Sequence, residues 1–111
     1  MPSVSIYTTK ERVKPLESIL NGLREFIAQE LSCEDRKLVS DEISLRIIVP
    51  DASLKIADTE LEIKAFSYPE RVQRQDDICL SIKDYVQKNC PKSGSIYVWL
   101  QLSELGHSSK D

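Results

Sequence analysis

The chain has 111 residues, 41% of them hydrophobic and 30% charged, and a formal net charge of −3. This length supports one domain with a single modest core, and the slightly acidic balance gives no general attraction to nucleic acid or anionic membranes. The sequence contains neither an apolar stretch of about 18 residues nor a basic-then-apolar leader, so we expect a cytoplasmic protein with no nucleic-acid or membrane partner.

The cysteines and the single histidine exclude several kinds of site. Cys33, Cys79 and Cys90 are odd in number and form no Cys-x-x-Cys pair, which argues against a disulfide framework or a structural zinc site. The only histidine, His107, cannot supply both partners of a nucleophilic pair or a cluster of metal ligands. We therefore predict free thiols, no metal and no cofactor.

The first half of the chain predicts a strand, a helix and a second strand. Val4 and Ile6 alternate with polar residues directly after Pro2, which is typical of a strand with one buried face. Apolar residues three and four apart over 13–31 predict one helix, with Pro15 tolerated in its first turn. Residues 42–49 alternate again and predict a strand. One side of that strand carries Ile43, Leu45, Ile47 and Val49, and the other carries Glu42, Ser44, Arg46 and Ile48.

The second half repeats this plan. The stretch ELEIKAF predicts a third strand, Pro69 starts a helix whose apolar face continues to Val86, and IYVWLQL predicts a fourth strand. The chain is thus predicted to be one domain of two similar halves, 1–50 and 58–103. Its expected fold class is α+β (α/β), with a four-stranded mixed sheet covered by two helices on one face.

The sheet face away from the helices is predicted to be too apolar to remain in water. Among its polar residues it carries Ile48, Phe66, Tyr97 and Trp99. Exposed apolar surface of this kind favours association with another copy. We therefore expect an oligomer that buries this face.

Four stretches together resemble the tautomerase superfamily. They are the Met-Pro start that leads directly into a strand, RIIVPDASLKIAD, YPERVQRQDDICLSIKDYV and SGSIYVWLQLSELGHS. The second stretch is similar to the second strand and following turn of the macrophage migration inhibitory factor and 5-carboxymethyl-2-hydroxymuconate isomerase branches. The third resembles the second helix of the family and its approach, and the fourth is similar to the last strand and tail of the migration inhibitory factor branch. The resemblance implies a homotrimer whose three sheets form a central barrel, with cofactor-free sites near the subunit boundaries. It also implies a small α-keto or enol acid as substrate.

The resemblance assigns Pro2 as the general base. An ordinary α-amino group has a pKa of about 7.7–8.0, and apolar surroundings with nearby cations lower that pKa. A neutral secondary amine can then move a proton between carbon and oxygen of the substrate. The chemistry requires removal of Met1, because a retained methionine makes the Pro2 nitrogen a non-basic amide.

Four further residues are candidates for substrate binding. Arg46 corresponds to a substrate-binding arginine of the isomerase branch, and an ion-paired arginine of the interface is the alternative. Tyr97 matches an active-site tyrosine of the migration inhibitory factor branch, or is an interface residue. Trp99 replaces an asparagine of that branch, which favours a more apolar pocket or a packing role. Lys37 lies near the position of a substrate-binding lysine, although a solvated loop is the simpler interpretation.

Two functions remain open on the sequence alone. The chain is a tautomerase, an isomerase that interconverts keto and enol groups, or it is a catalytically inactive trimeric interaction or structural protein with the same fold. Trp99 favours the second reading to some degree. Arg71 and Arg74, beside Tyr68, either flank a pocket from an adjoining subunit or, as is more common for such residues, solvate the first turns of the second helix.

Overall fold

A computed structural model describes residues 2–51 and 56–104 of the chain. Four strands, β1 (Ser3–Tyr7), β2 (Ser44–Ile48), β3 (Thr59–Phe66) and β4 (Ile96–Ser103), form one sheet in the order β2-β1-β3-β4. β1 is parallel to β2 and antiparallel to β3, and β3 is parallel to β4. The predicted mixed sheet is confirmed. The antiparallel β1–β3 pair joins the two strand-helix-strand halves.

Helices connect the parallel strands within each half. α1 (Val13–Glu17) and α2 (Leu20–Leu31) lie between β1 and β2, and α3 (Pro69–Gln73) and α4 (Gln75–Asn89) lie between β3 and β4. No helix in the described ranges is long and apolar enough to cross a membrane.

In the described ranges, each half contains two α-helices where the sequence predicted one. The first break follows Ser18, whose hydroxyl donates to the Pro15 carbonyl at 2.6 Å, while the Ile19 N–H donates to the Leu16 carbonyl at 3.1 Å. Both hydrogen bonds join residues three apart in the sequence, which tightens the turn and ends α1. The second break lies at Arg74, whose backbone (φ −103°, ψ 11°) leaves the helical region.

The core lies between the helices and one face of the sheet. Val4 and Ile6 of β1 and Ile63 of β3 have no exposed surface. Facing them, α2 and α4 contribute fully buried side chains, namely Leu23, Ile27, Ile78, Ile82 and Val86. Full burial of such a side chain contributes about 1.5–3 kcal/mol, so these apolar contacts hold the helices on the sheet.

The other face of the sheet, here called the open face, carries no helix. Trp99 is 51% exposed and Phe66 is 43% exposed on it. The strand register places its side chains in rows that run across the four strands. One row is Arg46, Ser5, Glu62 and Trp99, and the next is Ile48, Tyr7, Glu60 and Tyr97.

A network around Asp58 ties the start of β3 to the start of β4, at the end of the sheet away from Pro2. The Asp58 carboxylate accepts the Ser95 N–H at 3.0 Å, and the Asp58 N–H donates to Ser95 Oγ at 2.9 Å. Arg12 lies 3.8 Å from the same carboxylate. The tight approach depends on Gly94, whose φ of 76° and ψ of −149° are accessible almost only to glycine.

We expect Gly94→Ala to lower the free energy of unfolding by about 1–3 kcal/mol, because the new side chain strains the backbone and collides with Asp58. An ideal Cβ at this position would stand 2.8 Å from Asp58 Cβ. Urea unfolding monitored by circular dichroism measures the change.

Gly22→Ala is the matched control. Its Cβ would meet only the hydroxyl end of the Tyr85 side chain, and alanine improves helix propensity in α2 by about 1 kcal/mol. We expect this variant to stay within about 1 kcal/mol of the parent. Equal losses in both variants would contradict the role given to the Gly94 backbone.

Candidate functional site

Pro2 is buried at the N-terminal end of β1. Its carbonyl accepts a hydrogen bond from the Ser44 N–H at 3.2 Å, so the backbone groups of Pro2 face β2. Extension of the strand register places Pro2 beside Ile43 on one side and Ala65 on the other. Because side chains alternate along a strand, its ring lies on the helix-covered side with Val4. The sequence thus folds Pro2 into an apolar strand end.

The segment before β2 reaches the same end of the sheet, since β2 runs parallel to β1. Lys37 in this segment is exposed and makes no ion pair among the described residues. Its carbonyl accepts a hydrogen bond from Arg36 at 3.0 Å, and Arg36 forms an ion pair with Glu42. Lys37 is therefore a free cation near the end of the sheet where Pro2 lies, while Arg36 is neutralised.

Arg46 lies on the open face, across β1. Its Nη1 donates to Ser3 Oγ at 3.0 Å and to Ser5 Oγ at 2.9 Å, and its Nη2 donates to Ser44 Oγ at 2.8 Å. In the part of the chain that the structure describes, no carboxylate forms an ion pair with it. Neutral hydroxyls thus orient the guanidinium near Pro2 but on the opposite side of the sheet.

Tyr97 and Trp99 both lie on β4, two strands away from the strand of Pro2, and Trp99 stands in the row of Ser5. Tyr97 shares its row with Tyr7, at the other end of β1, which is 5 residues or about 16 Å long. Two strand spacings add about 10 Å across the sheet. Both aromatic side chains instead line a shallow cavity of about 310 Å³ on the open face, together with Glu60. A single chain does not bring them to Pro2.

The cysteines are free thiols. Cys33 and Cys90 are buried, and Cys79 is half-buried on α4. Burial first, and the Asp76 carboxylate second, raise the pKa of the Cys79 thiol, while the Leu100 N–H offsets part of this change. Cys79 is thus held in its protonated, poorly nucleophilic form. Within residues 2–51 and 56–104, no three histidine, cysteine or acidic side chains are grouped to hold a metal.

Arg71 is a residue at this end of the sheet that the sequence analysis misplaced. It does not solvate α3 but is only 3% exposed. Its Nε donates to the Leu31 carbonyl at 2.8 Å, its Nη1 donates to the Phe66 carbonyl at 2.9 Å, and its guanidinium lies 4.8 Å from the centre of the Tyr68 ring. The spacing in the sequence could have indicated this burial, because Arg71 precedes the buried Ile78 by seven residues, or two helical turns.

Burial also affects the pKa of Arg71. Desolvation lowers the pKa of its guanidinium below the ordinary value. The Cys33 thiol and the Tyr68 hydroxyl act in the opposite direction, and Arg36 adds to the lowering. An arginine remains charged despite such a shift, because its ordinary pKa is so high.

No model of a known protein family matches this sequence, and no curated protein matches it either. Solved structures do match its fold. A macrophage migration inhibitory factor-like protein from Entamoeba histolytica has a TM-score of 0.65 at 10% identity, over 96% of this chain and 95% of that one. A 5-carboxymethyl-2-hydroxymuconate delta-isomerase has a TM-score of 0.63 at 14% identity, over 100% of this chain and 86% of that one.

A fused 4-OT protein, an asymmetric trimer, gives a TM-score of 0.65 at 8% identity, over 91% of this chain and 85% of that one. The chain therefore has the tautomerase fold, as the resemblance predicted. Within that fold it is similar both to migration inhibitory factor-like proteins and to the muconate isomerase. At these identities the likeness is one of fold.

Proposed function

We propose that the protein is a cofactor-free tautomerase in which the Pro2 amine is the general base for keto–enol proton transfer on a small α-keto acid. The observation that carries this proposal is the position of Pro2, buried at the end of a central strand. An apolar position of this kind favours the neutral form of an amine. The shared fold supports the same reaction class, although a fold alone does not define a function.

The proposed reaction moves one proton and needs no redox partner. In the enol-to-keto direction, the neutral Pro2 nitrogen accepts the enol hydroxyl proton while the carbonyl double bond forms. The resulting ammonium then returns a proton to the adjacent carbon, and the amine is neutral again. A cation near the developing enolate lowers the barrier by electrostatic stabilisation. Lys37 and Arg46 are the proposed binding groups for the enolate and the substrate carboxylate.

We propose that the site is completed in a homotrimer. Tyr97 lies at the other end of the sheet from Pro2, and Trp99 lies two strands away from β1 in the row of Ser5, so in this proposal both contribute to a Pro2 site from a neighbouring chain. The exposed aromatic side chains of the open face support burial against further copies.

An inactive trimeric interaction or structural protein is the second candidate. It is favoured by the 51% exposure of Trp99, which offers an apolar contact rather than a polar group for a substrate. The two candidates share the assembly and differ only in the chemistry of Pro2.

The first experiment compares the chain with a free Pro2 amine, verified by intact mass, and the same chain that retains Met1. We expect enol-to-keto conversion of phenylpyruvate by the Met1-retaining form to be slower by about a hundredfold or more, because the amide nitrogen cannot accept a proton. Ultraviolet absorbance of the enol measures the rate. Equal rates in the two forms would exclude Pro2 as the base, and no conversion by either would favour the inactive candidate.

The second experiment tests the assembly. In sedimentation at micromolar concentration, we expect the wild-type protein to have three times the mass of the chain. The Trp99→Asp variant should have a mass closer to that of a single chain, because burial of the new carboxylate is unfavourable. Val72→Asp replaces an apolar side chain of α3 that is 43% exposed, and serves as the control that leaves the assembly unchanged. A wild-type protein that sediments as a single chain would overturn the trimer proposal.

A further inference from the structure

The shallow cavity on the open face, here called the aromatic cavity, is lined by three aromatic side chains and two acidic residues. The aromatic side chains are those of Tyr7, Tyr97 and Trp99, and the acidic residues are Glu60 and Glu62. Its volume of about 310 Å³ is at the lower end of the range for small-molecule sites, about 300–1,000 Å³. No basic side chain is among the described residues that line it. The lining is therefore both aromatic and negatively charged.

The strand register places one of the acidic residues between two of the aromatic ones. Glu60 of β3 pairs with Tyr7 of β1 on one side and with Tyr97 of β4 on the other. Neighbouring strands are about 4.8 Å apart, so both tyrosines begin next to Glu60 on the same face of the sheet. Trp99 follows Tyr97 by two residues and belongs to the next row on that face. Aromatic residues thus flank Glu60 on both neighbouring strands.

The Glu60 carboxylate is held in place but is not neutralised. Its Oε2 accepts the Ile56 N–H at 3.0 Å. The ion pairs in the described part of the chain do not include Glu60, whereas Glu62 lies 3.7 Å from Lys64. An ionised carboxylate has about four acceptor positions, so Glu60 retains free ones. Because Glu60 is half-buried, its charge carries a desolvation cost that a cation in the cavity would offset.

We propose that the aromatic cavity binds an organic cation, namely the primary ammonium or guanidinium group of a small molecule. The Glu60 carboxylate accepts hydrogen bonds from the N–H groups of the cation. The aromatic rings attract the same positive charge, and this attraction is stronger where water is partly excluded. A neutral group of the same shape has the apolar contacts but neither of these electrostatic interactions.

This site goes beyond the proposed function and does not rest on it. One chain supplies every residue named for the aromatic cavity, whether or not Pro2 acts as a base. The substrate proposed for Pro2 is an anion, and the Glu60 carboxylate repels an anionic group. The aromatic cavity therefore selects the opposite sign of charge from Lys37 and Arg46.

A basic side chain of a second copy has the same chemistry as a small cation. Arg46 is the candidate, because it lies on the open face and forms no ion pair in the part of the chain that the structure describes. Its guanidinium, however, donates to the hydroxyls of Ser3, Ser5 and Ser44 of its own chain. Entry into the cavity of another chain would cost these hydrogen bonds. We therefore assign the cavity to a free small molecule.

The experiment uses Trp99 as the reporter, since it is the only tryptophan of the chain and it lines the cavity. Its fluorescence is titrated at constant ionic strength with phenethylammonium, and separately with 2-phenylethanol, which has nearly the same shape without the charge. Glu60→Gln removes the proposed ligand carboxylate and keeps its size. Glu25→Gln removes an exposed carboxylate of α2, on the other side of the sheet, and is the matched control because it changes the net charge equally.

We expect the wild-type protein to bind phenethylammonium about tenfold or more tightly than 2-phenylethanol, which is the effect of a hydrogen bond to a charged group in a partly buried site. Glu60→Gln should remove most of this preference by weakening only the binding of the cation, whereas Glu25→Gln should keep it. The titration requires no enzymatic activity. A failure to convert phenylpyruvate would therefore reject the proposed function and leave this site untouched.

Equal affinities for the two probes, or the absence of binding by either, would overturn the proposal. A preference for phenethylammonium that persists unchanged in Glu60→Gln would overturn it as well. Circular dichroism of Glu60→Gln verifies that the variant is folded, and the comparison of the two probes on the wild-type protein does not depend on any variant. If neither probe binds and Glu60→Gln lowers the mass found in sedimentation, a side chain of a second copy fills the cavity instead of a small molecule.

Discussion

The pairing of β1 on both of its edges is the constraint on which the rest of the structure depends. β1 bonds to β2 in parallel and to β3 in antiparallel orientation, and it is the strand that joins the two halves into one sheet. Val4 and Ile6 have no exposed surface, so a slip of one residue would turn them toward solvent and bring Ser3 and Ser5 into the core. The register of five residues therefore fixes which face the helices cover.

This register also determines the surroundings of Pro2. As the residue before β1, Pro2 is held by the Ser44 N–H at the edge of the apolar layer. Arg46 lies on the open face at the same end of the sheet, where serine hydroxyls of β1 orient its guanidinium. A buried, apolar strand end is unfavourable for a protonated amine, and an unpaired guanidinium at the same end of the sheet adds to this effect. These surroundings are the ones that the proposed role of Pro2 as a neutral amine base requires.

The sequence predicted the parts of this fold that follow from local patterns. Alternation in β1 and β2 identified Ile47 and Leu45 as core-facing and Arg46 as outward-facing, because strand periodicity is strict. The helix breaks at Ser18 and Arg74 were not predicted, since they depend on hydrogen bonds and backbone angles within a continuous apolar pattern. The burial of Arg71 was also missed. A charged side chain near a helix start is normally solvated, and only tertiary contacts with Leu31 and Phe66 make its burial possible.

The sequence identified the candidate site residues individually, but not how they are arranged in the fold. Sequence resemblance named Pro2, Lys37, Arg46, Tyr97 and Trp99, but it could not say which of them share one end of a single chain. The register answers this in part, because Tyr97 pairs with Glu60 in the row of Tyr7, which lies at the opposite end of β1 from Pro2. Distances of this kind arise from strand order and direction, which depend on pairing between segments far apart in sequence.

The central claim is that folding keeps the Pro2 nitrogen neutral, and direct titration of that nitrogen tests it. In a chain that begins at Pro2 and carries nitrogen-15 in proline, NMR follows the amine through its protonation. In the urea-unfolded chain, we expect the amine to have the ordinary pKa of about 7.7–8.0. In the folded protein, we expect its pKa to lie clearly below that value. A lowered pKa stabilises the fold fully above the unfolded value, and this contribution is lost as pH falls through the folded value. A folded pKa equal to or above the unfolded one would contradict the account.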